Sequence, residues 1–336
     1  MFVLNHQYDI IYTVKNWWFY MDALFTMFKN VMIFVALALP GYILVKAKLL
    51  KASDSGVLSK LLSYVGLPFL ILSSTLGVNL KGDFLLIAII CVVSCILLTL
   101  LIVFISILLT NKINDIKKKR MMQVAMSFSN NGFLGIPLAM AVFGTTHLIV
   151  SIIVVLNIIN NIFIYTLGVY IISGDKKNIS IKKAIFNPVL ISFILGLILN
   201  VVGVCNHVPE IITFSNHLKN IVTPISMIIL GIKLTDIPIV SLFTSKSCYF
   251  VSVIKLVLLP ILSVGFGFIV KIIFGFSTDI IMAFFIAFAM PTAGLATVFS
   301  DQYNGDTRHS VIYILGTTLF SIITIPLLYF ALNAIL

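Results

Sequence analysis

The chain has 336 residues, of which 60% are hydrophobic and only 10% are charged, and its mean hydropathy is +1.17. A soluble domain carries about 25% charged residues, so this composition excludes a soluble globular protein and predicts a membrane protein. The formal net charge of +11 does not indicate a nucleic-acid partner, because the basic residues lie in short loops between apolar segments, where they orient a membrane protein.

Apolar runs of about 20 residues, the length of a helix that crosses a bilayer, recur along the chain. The predicted spans one to ten cover residues 25–45, 57–76, 84–109, 121–145, 148–172, 188–204, 217–234, 248–273, 279–300 and 308–334. Residues 1–23 lack a signal-peptide pattern. Trp17 and Trp18 predict an extracellular interfacial segment there, and translation from Met21 is the alternative.

Basic side chains concentrate in alternate loops. They are Lys46, Lys48, Lys51 and Lys60 around the first loop, Lys112, Lys117, Lys118, Lys119 and Arg120 in the third, and Lys176, Lys177, Lys182 and Lys183 in the fifth. The positive-inside rule places these loops in the cytoplasm. Both termini are therefore predicted to lie outside the plasma membrane.

Span four is interrupted between Ser129 and Pro137 by two amides, two glycines and a proline. Pro137 lacks a backbone donor and clashes with the carbonyl four residues before it, and Gly132 and Gly135 weaken the preceding turn. Within a bilayer, the freed backbone groups are tolerated only where they are buried in protein or line a wet cavity. Such a break is typical of a transporter's binding site.

Span nine is interrupted in a similar way, by the segment Met290-Pro291-Thr292-Ala293-Gly294. If the two spans cross, the half-helices that begin near Leu138 and near Leu295 turn their positive ends and their unpaired backbone donors toward the membrane centre. Helix ends of this kind suit an anion.

A shift of 156 residues places Pro68 on Pro224 and Val142 on Val298. Each half then holds five spans, an odd number, so the second half is inserted upside down. We therefore predict an all-α membrane protein of ten transmembrane helices in two inverted five-helix repeats, residues 24–172 and 188–336. A basic cytoplasmic linker at 173–187 joins the repeats, and the broken spans four and nine cross.

Four motifs resemble the auxin efflux carrier family from about Met21 to the C-terminus. They are Asn130-Asn131-Gly132-Phe133-Leu134-Gly135-Ile136-Pro137-Leu138, Met290-Pro291-Thr292-Ala293, Tyr303-Asn304-Gly305-Asp306, and Thr317-Thr318-Leu319-Phe320-Ser321 with Pro326-Leu327. That family includes plant PIN auxin exporters and bacterial permeases for malate and related organic acids. The resemblance implies a bile acid symporter-like fold with crossed broken helices, and a homodimer through a scaffold of spans one, two, six and seven.

The chain departs from the family at one place. Many relatives carry an asparagine after the second proline, mirroring the one in span four, whereas this chain reads Gly294-Leu295-Ala296. One polar contact to the substrate is thus missing, and Thr292 and Thr297 are candidates to replace it. The departure leaves the identity of the substrate open.

Polar and helix-breaking residues of these spans are the candidates for substrate binding. They are Asn130, Asn131, Gly132, Gly135, Pro137, Pro291, Thr292, Gly294, Thr297, Asn157, Asn161 and Lys255. The amides at the first break either donate to a carboxylate or cap a helix end, and those of span five either join helices or form a polar wall. Lys255 either snorkels to the headgroups or attracts an anion, whereas Lys233 is interpreted as an interfacial anchor.

All eleven acidic residues lie in loops or near span ends, which argues against a carrier that uses buried carboxylates for protons or sodium. Amides and carbonyls can still hold sodium. The preferred function is elevator-like or rocking export of small organic anions, mono- or dicarboxylates similar to auxin or malate. A sodium- or proton-coupled symporter is the alternative.

Two other classes lack their signature residues. A membrane-embedded enzyme needs a catalytic cluster, and the sequence offers no buried acid, metal ligands or nucleotide loop; Cys91, Cys95, Cys205 and Cys248 show no metal-ligand spacing. A sensor needs an output domain, and the loops are short. The predicted partners are the substrate anion, the lipid bilayer and a second copy of the chain, with no cofactor.

Overall fold

The computed structural model describes residues 36–76, 84–144, 147–178 and 188–336, with isolated positions at 25, 28–29, 32–33 and 186. The predicted interfacial segment at 1–23 and part of the linker at 173–187 lie outside the described residues. In the described part the structure is helical, and its one extended pairing is an isolated bridge between Ser129 and Thr292.

The helices are numbered in chain order. They are α1 (Leu39–Lys46), α2 (Ala52–Leu76), α3 (Phe84–Leu109), α4 (Ile116–Ser127), α5 (Asn131–Phe143), α6 (Leu148–Ser173), α7 (Pro188–Val202), α8 (Glu210–Leu234), α9 (Lys246–Phe274), α10 (Asp279–Ala289), α11 (Leu295–Gln302) and α12 (Thr307–Asn333). Short helical segments at Val204–His207 and Val240–Thr244 precede α8 and α9.

Six of these helices, α2, α3, α6, α8, α9 and α12, are long and apolar enough to cross a membrane, and α5, α7 and α10 are shorter apolar helices. The chain is therefore a multi-pass helical membrane protein, as its composition predicts. The count of ten spans stays a prediction, because α4, α5, α10 and α11 are short pieces and the first predicted span lies partly outside the described residues.

The predicted start of span seven at residue 217 is wrong, since α8 begins at Glu210. Its first turns carry polar side chains that lower the local hydropathy, and two of these, Ser215 and Asn216, face the protein. Ser215 is fully buried, and Asn216 accepts a hydrogen bond of 2.8 Å from Ser73 on α2. A polar residue that contacts a neighbouring helix does not end a span. The length of an apolar run does not show which polar residues have such a contact.

Pro137 does not break its helix, contrary to the sequence prediction. A π-turn at Asn131–Gly135 ends two residues before it, and the helix continues to Phe143. The π-turns at Leu62–Gly66 and Ile254–Leu258 precede Pro68 and Pro260 in the same way. Because proline has no N–H and its ring crowds the carbonyl four residues back, a wider i→i+5 turn accommodates it without ending the helix.

Several helix contacts recur when each label is raised by six, with α1 following again after α12. Helix α1 packs on α8 and α7 packs on α2; α3 packs on α4 and α6, and α9 packs on α10 and α12; α6 packs on α10, and α12 packs on α4. Helices α1, α2, α7 and α8 form one group, and the remaining helices form another that contains both breaks.

Glycines allow the close contacts of the first group. A side chain at Gly41 of α1 would overlap the backbone of Ile228 on α8, and one at Gly231 of α8 would overlap the backbone of Ala38. Without a Cβ the two helix backbones approach closely, as small residues permit in membranes.

We expect Gly231→Ala to destabilise the protein by about 1–3 kcal/mol, the usual cost of overpacking, because the new methyl group overlaps backbone that cannot rotate away. Thermal unfolding in detergent measures the effect. Gly265→Ala is the matched control, since nothing lies within 4 Å of a Cβ at Gly265. Equal stability of the two variants would contradict the close α1–α8 contact.

Candidate functional site

The two breaks lie against each other. Between α4 and α5 the chain runs as Phe128-Ser129-Asn130, and between α10 and α11 it runs from Met290 to Gly294. The Asn130 N–H donates to the Pro291 carbonyl at 2.8 Å, and the Ala293 N–H donates to the Phe128 carbonyl at 3.0 Å. These two bonds form the antiparallel bridge, so each break supplies the partners that the other lacks.

Side chains from α6 and α12 bind three further backbone groups of the bridge. Asn160 of α6 accepts from the Ser129 N–H at 3.3 Å and donates to the Ser129 carbonyl at 3.1 Å. The Thr292 N–H donates to Thr317 Oγ1 of α12 at 3.1 Å, and the Thr292 hydroxyl donates to the Ala125 carbonyl at 2.9 Å. The Ser129 N–H and carbonyl and the Thr292 N–H are thus paired within the protein, as a membrane interior favours.

Lys255 lies behind the first break. It is fully buried in the π-turn of α9, and its Nζ donates to Ser129 Oγ at 2.6 Å. The side chain does not reach the headgroups, so the snorkelling interpretation is wrong. Its turn packs against α4, α10 and α12, which places a buried amine next to the ends of both interrupted spans.

A cavity with about 310 Å³ of empty space, partly open to solvent, lies beside the bridge. Its walls are Leu67, Ser129, Asn130, Asn131, Gly132, Phe133, Asn157, Asn160, Asn161, Ile164, Ala293, Gly294 and Leu295. The first N–H groups of α5, from Asn131 to Phe133, and those of Gly294 and Leu295 at the start of α11 have no acceptor among the described residues. The free donors of two helix starts therefore line one cavity.

Two buried amide atoms of this cavity are also unpaired. Asn131 Oδ1 and Asn157 Nδ2 have no hydrogen-bond partner in the described part of the chain, although both side chains are about 97% buried. Leaving a buried polar atom unsatisfied costs about 1–3 kcal/mol. Asn131 and Asn157 thus bring an unpaired acceptor and an unpaired donor to the residues that line the cavity.

The structure brings half of the predicted site residues to this cavity: Asn130, Asn131, Gly132, Asn157, Asn161 and Gly294. The other six, Gly135, Pro137, Pro291, Thr292, Thr297 and Lys255, lie outside its lining. Thr292 and Thr297 are fully buried, and both hydroxyls are hydrogen bonded, that of Thr297 by Ser310 at 3.1 Å. Their proposed substitution for the missing asparagine stays a prediction.

The candidate site residues chosen from the sequence do not include those that hold the bridge together, Ser129, Asn160 and Thr317, although the amides of span five, Asn160 among them, are interpreted above as partners between helices or as a polar wall. One signal was present. Asn160 and Thr317 are related by a shift of 157 residues, close to the shift of 156 that aligns the prolines, and both bind the residue at the centre of a break.

We expect Asn160→Leu to lower the stability by about 1–3 kcal/mol for each group left unpaired, because the Ser129 N–H and carbonyl lose their partner. Thermal unfolding in detergent reports the loss. Asn161→Leu is the control on the same helix, since Asn161 donates only to the Asn157 carbonyl of α6 itself. The bridge argument fails if the two variants unfold together.

Comparison with known proteins identifies the family. The family model described as membrane transport protein matches residues 25–329. An uncharacterized transporter of Methanothermobacter thermautotrophicus is 27% identical over 307 residues, which are 89% of this chain and 96% of that protein. Another, of Methanocaldococcus jannaschii, is 26% identical over 304 residues, 88% of this chain and 96% of that protein. The chain therefore belongs to the membrane transport protein family that includes the auxin efflux carriers, and it is a transporter and not an enzyme.

Proposed function

We propose that this transporter moves small organic anions, mono- or dicarboxylates, across the plasma membrane through the cavity at the two breaks. One observation carries the proposal: the unpaired N–H groups at the starts of α5 and α11 line the same cavity. Each helix N-terminus carries about half a positive charge. Two such ends directed at one small space favour a negatively charged ligand.

The amides of the cavity support a carboxylate over a simple halide. Asn157 Nδ2, which has no partner among the described residues, can donate to a carboxylate oxygen. Asn131 Oδ1, equally unpaired, accepts only from a donor, which a hydroxyl group of the substrate or a bound water supplies. A panel of acids with and without hydroxyl groups therefore separates the roles of the two amides.

The proposed movement is an elevator-like displacement of the group that carries the breaks against the group α1, α2, α7 and α8. Its support is the packing, in which the principal contacts of α1, α3 and α6 recur when each helix label is raised by six. At the centre, the break of one half pairs with the break of the other, through the bonds from Asn130 to Pro291 and from Ala293 to Phe128. In inverted-repeat transporters the interrupted helices of the two halves meet at the site in this way, and the two halves allow it to open to either side.

The group α1, α2, α7 and α8 is also the proposed dimer scaffold. Large apolar side chains on its helices remain exposed, among them Ile43, Tyr64, Ile198 and Phe214. Lipid or a second copy of the chain covers such surfaces in a membrane. The homodimer rests on the family resemblance, and this exposed face is compatible with it.

A sodium- or proton-coupled symporter is the second candidate, and one observation favours it. The free Asn131 Oδ1 is an oxygen ligand suited to a hard cation. Bound sodium next to the helix starts would offset the charge of a transported anion.

We expect Asn131→Ala to abolish carboxylate binding and transport while it leaves folding near normal, because the substitution removes an amide of the cavity and no hydrogen bond of the bridge. Thermal-shift measurements with malate, indole-3-acetate and benzoate test binding, since a ligand at a hundred times its Kd stabilises the folded state by about 2.7 kcal/mol. Asn114→Ala, in the exposed loop before α4, is the control. Stabilisation of Asn131→Ala equal to that of the wild type refutes the assignment.

Uncoupled anion transport is expected to be electrogenic. An interior-negative potential contributes about 2.3 kcal/mol per charge per 100 mV toward anion exit, so the wild-type protein should favour export. Proteoliposomes loaded with labelled carboxylate and given potassium diffusion potentials of either sign measure this. Efflux that ignores the potential but follows a sodium or pH gradient would instead support the symporter.

A further inference from the structure

A second, larger cavity continues from the breaks toward one face of the protein. It has about 620 Å³ of empty space, partly open to solvent, and shares Asn130, Phe133, Gly294 and Leu295 with the smaller cavity. Its remaining walls are Ser59, Leu62 and Ser63 of α2, Ser226, Met227, Ile229, Leu230 and Lys233 of α8, Val298 of α11 and Ile314 of α12. The space thus separates the α2–α8 pair from the group that carries the breaks.

Lys233 is the one charged side chain among these lining residues. It lies on the same face of α8 as Ser226 and Leu230, seven and three residues before it, and two turns of helix separate Lys233 from Ser226 by about 10.5 Å. Lys233 is the last residue but one of α8. The cavity therefore extends from the uncharged amides at the breaks to a single ammonium group at the helix end.

The end with Lys233 lies on the face that carries the basic loops. Asp236, just beyond α8, interacts electrostatically with both Lys233 and Asp301, which lies in the last turn of α11. Asn304, in the connection between α11 and α12, accepts a hydrogen bond of 3.2 Å from Lys117 in the first turn of α4. The α3–α4, α8–α9 and α11–α12 connections thus meet at one face, the one that the charge distribution predicts to be cytoplasmic.

The ammonium group is free to meet a ligand. In the described part of the chain no carboxylate lies within ion-pair distance of Lys233. Burial raises the pKa of the Asp236 carboxyl, and the Lys233 ammonium acts on it in the opposite direction, so the two groups interact through space without a direct contact. Lys233 itself is only partly buried, as expected of a group at the open end of a cavity.

We propose that Lys233 is an anion-capture site: it draws carboxylates from the face of the basic loops into the larger cavity, from which they reach the helix starts at the breaks. The proposal rests on the proposed anion transport. Apolar walls on both sides, such as Leu62 and Leu230, keep the dielectric constant low and focus the field of the one charge along the cavity. The earlier interpretation of Lys233 as an interfacial anchor gives it no such function.

The test measures the potential in the cavity without a substrate. Ser63→Cys is introduced on the cavity wall in a background whose native cysteines are replaced by alanine. The rate at which this cysteine is labelled is then measured with two methanethiosulfonate reagents, one that carries an anionic sulfonate group and one that carries a cationic trimethylammonium group. We expect Lys233→Gln to lower the anion-to-cation rate ratio about tenfold at low salt, the smaller end of the range for focused fields. Lys246→Gln, at an exposed position on the same face, is the control and should change the ratio little.

A competition arm tests capture of a carboxylate. Excess benzoate should slow the anionic reagent in protein that retains Lys233, whereas uncharged benzamide should not. The proposal is overturned if Lys233→Gln and Lys246→Gln give the same ratio, or if benzamide competes as well as benzoate. A ratio that depends on Lys233, together with normal carboxylate binding by Asn131→Ala, would retain the capture site and refute the site at the breaks.

Discussion

The structure depends on one constraint, which is that backbone N–H and carbonyl groups cannot remain unpaired inside a bilayer. Two interrupted helices create such groups in the middle of the protein. The bonds from Asn130 to Pro291 and from Ala293 to Phe128 pair backbone groups of the break in one half with backbone groups of the break in the other. Neither half can pair its own interruption, so the two halves must fold against each other.

The same constraint explains why α6 and α12 are the most buried of the six long helices. Each supplies the side chain, Asn160 or Thr317, that binds the central residue of a break. These helices occupy equivalent places in the repeated packing. A hydropathy profile counts such polar residues against a membrane span. Here they pair the backbone groups that the interrupted helices leave free.

Much of the fold follows from apolar runs alone: the predicted third span, 84–109, coincides with α3. The position of the first break did not follow, because Pro137 suggested a break where a π-turn lets the helix continue. Ser129 and Thr292, which pair in the bridge, are 163 residues apart, whereas the prolines align at a shift of 156. These prolines therefore do not mark the positions of the breaks. Six of the twelve candidate residues, all of them amides or glycines, line the cavity. The bonds that hold the breaks together join residues distant in the sequence, such as Asn160 and Ser129.

The two halves carry different side chains at corresponding positions near the breaks. The shift of 163 residues relates Asn131, with its unpaired oxygen, to Gly294, which has no side chain. The shift of 156 relates Lys255, which binds Ser129, to Thr99, whose hydroxyl lies 3.9 Å from Cys95. The first half thus supplies the amides of the cavity and the second half supplies the buried amine. A ligand in this cavity would meet similar helix starts on its two sides but polar side chains on one side only. Under the proposed function, the backbone would therefore attract the anion and the side chains would set its orientation.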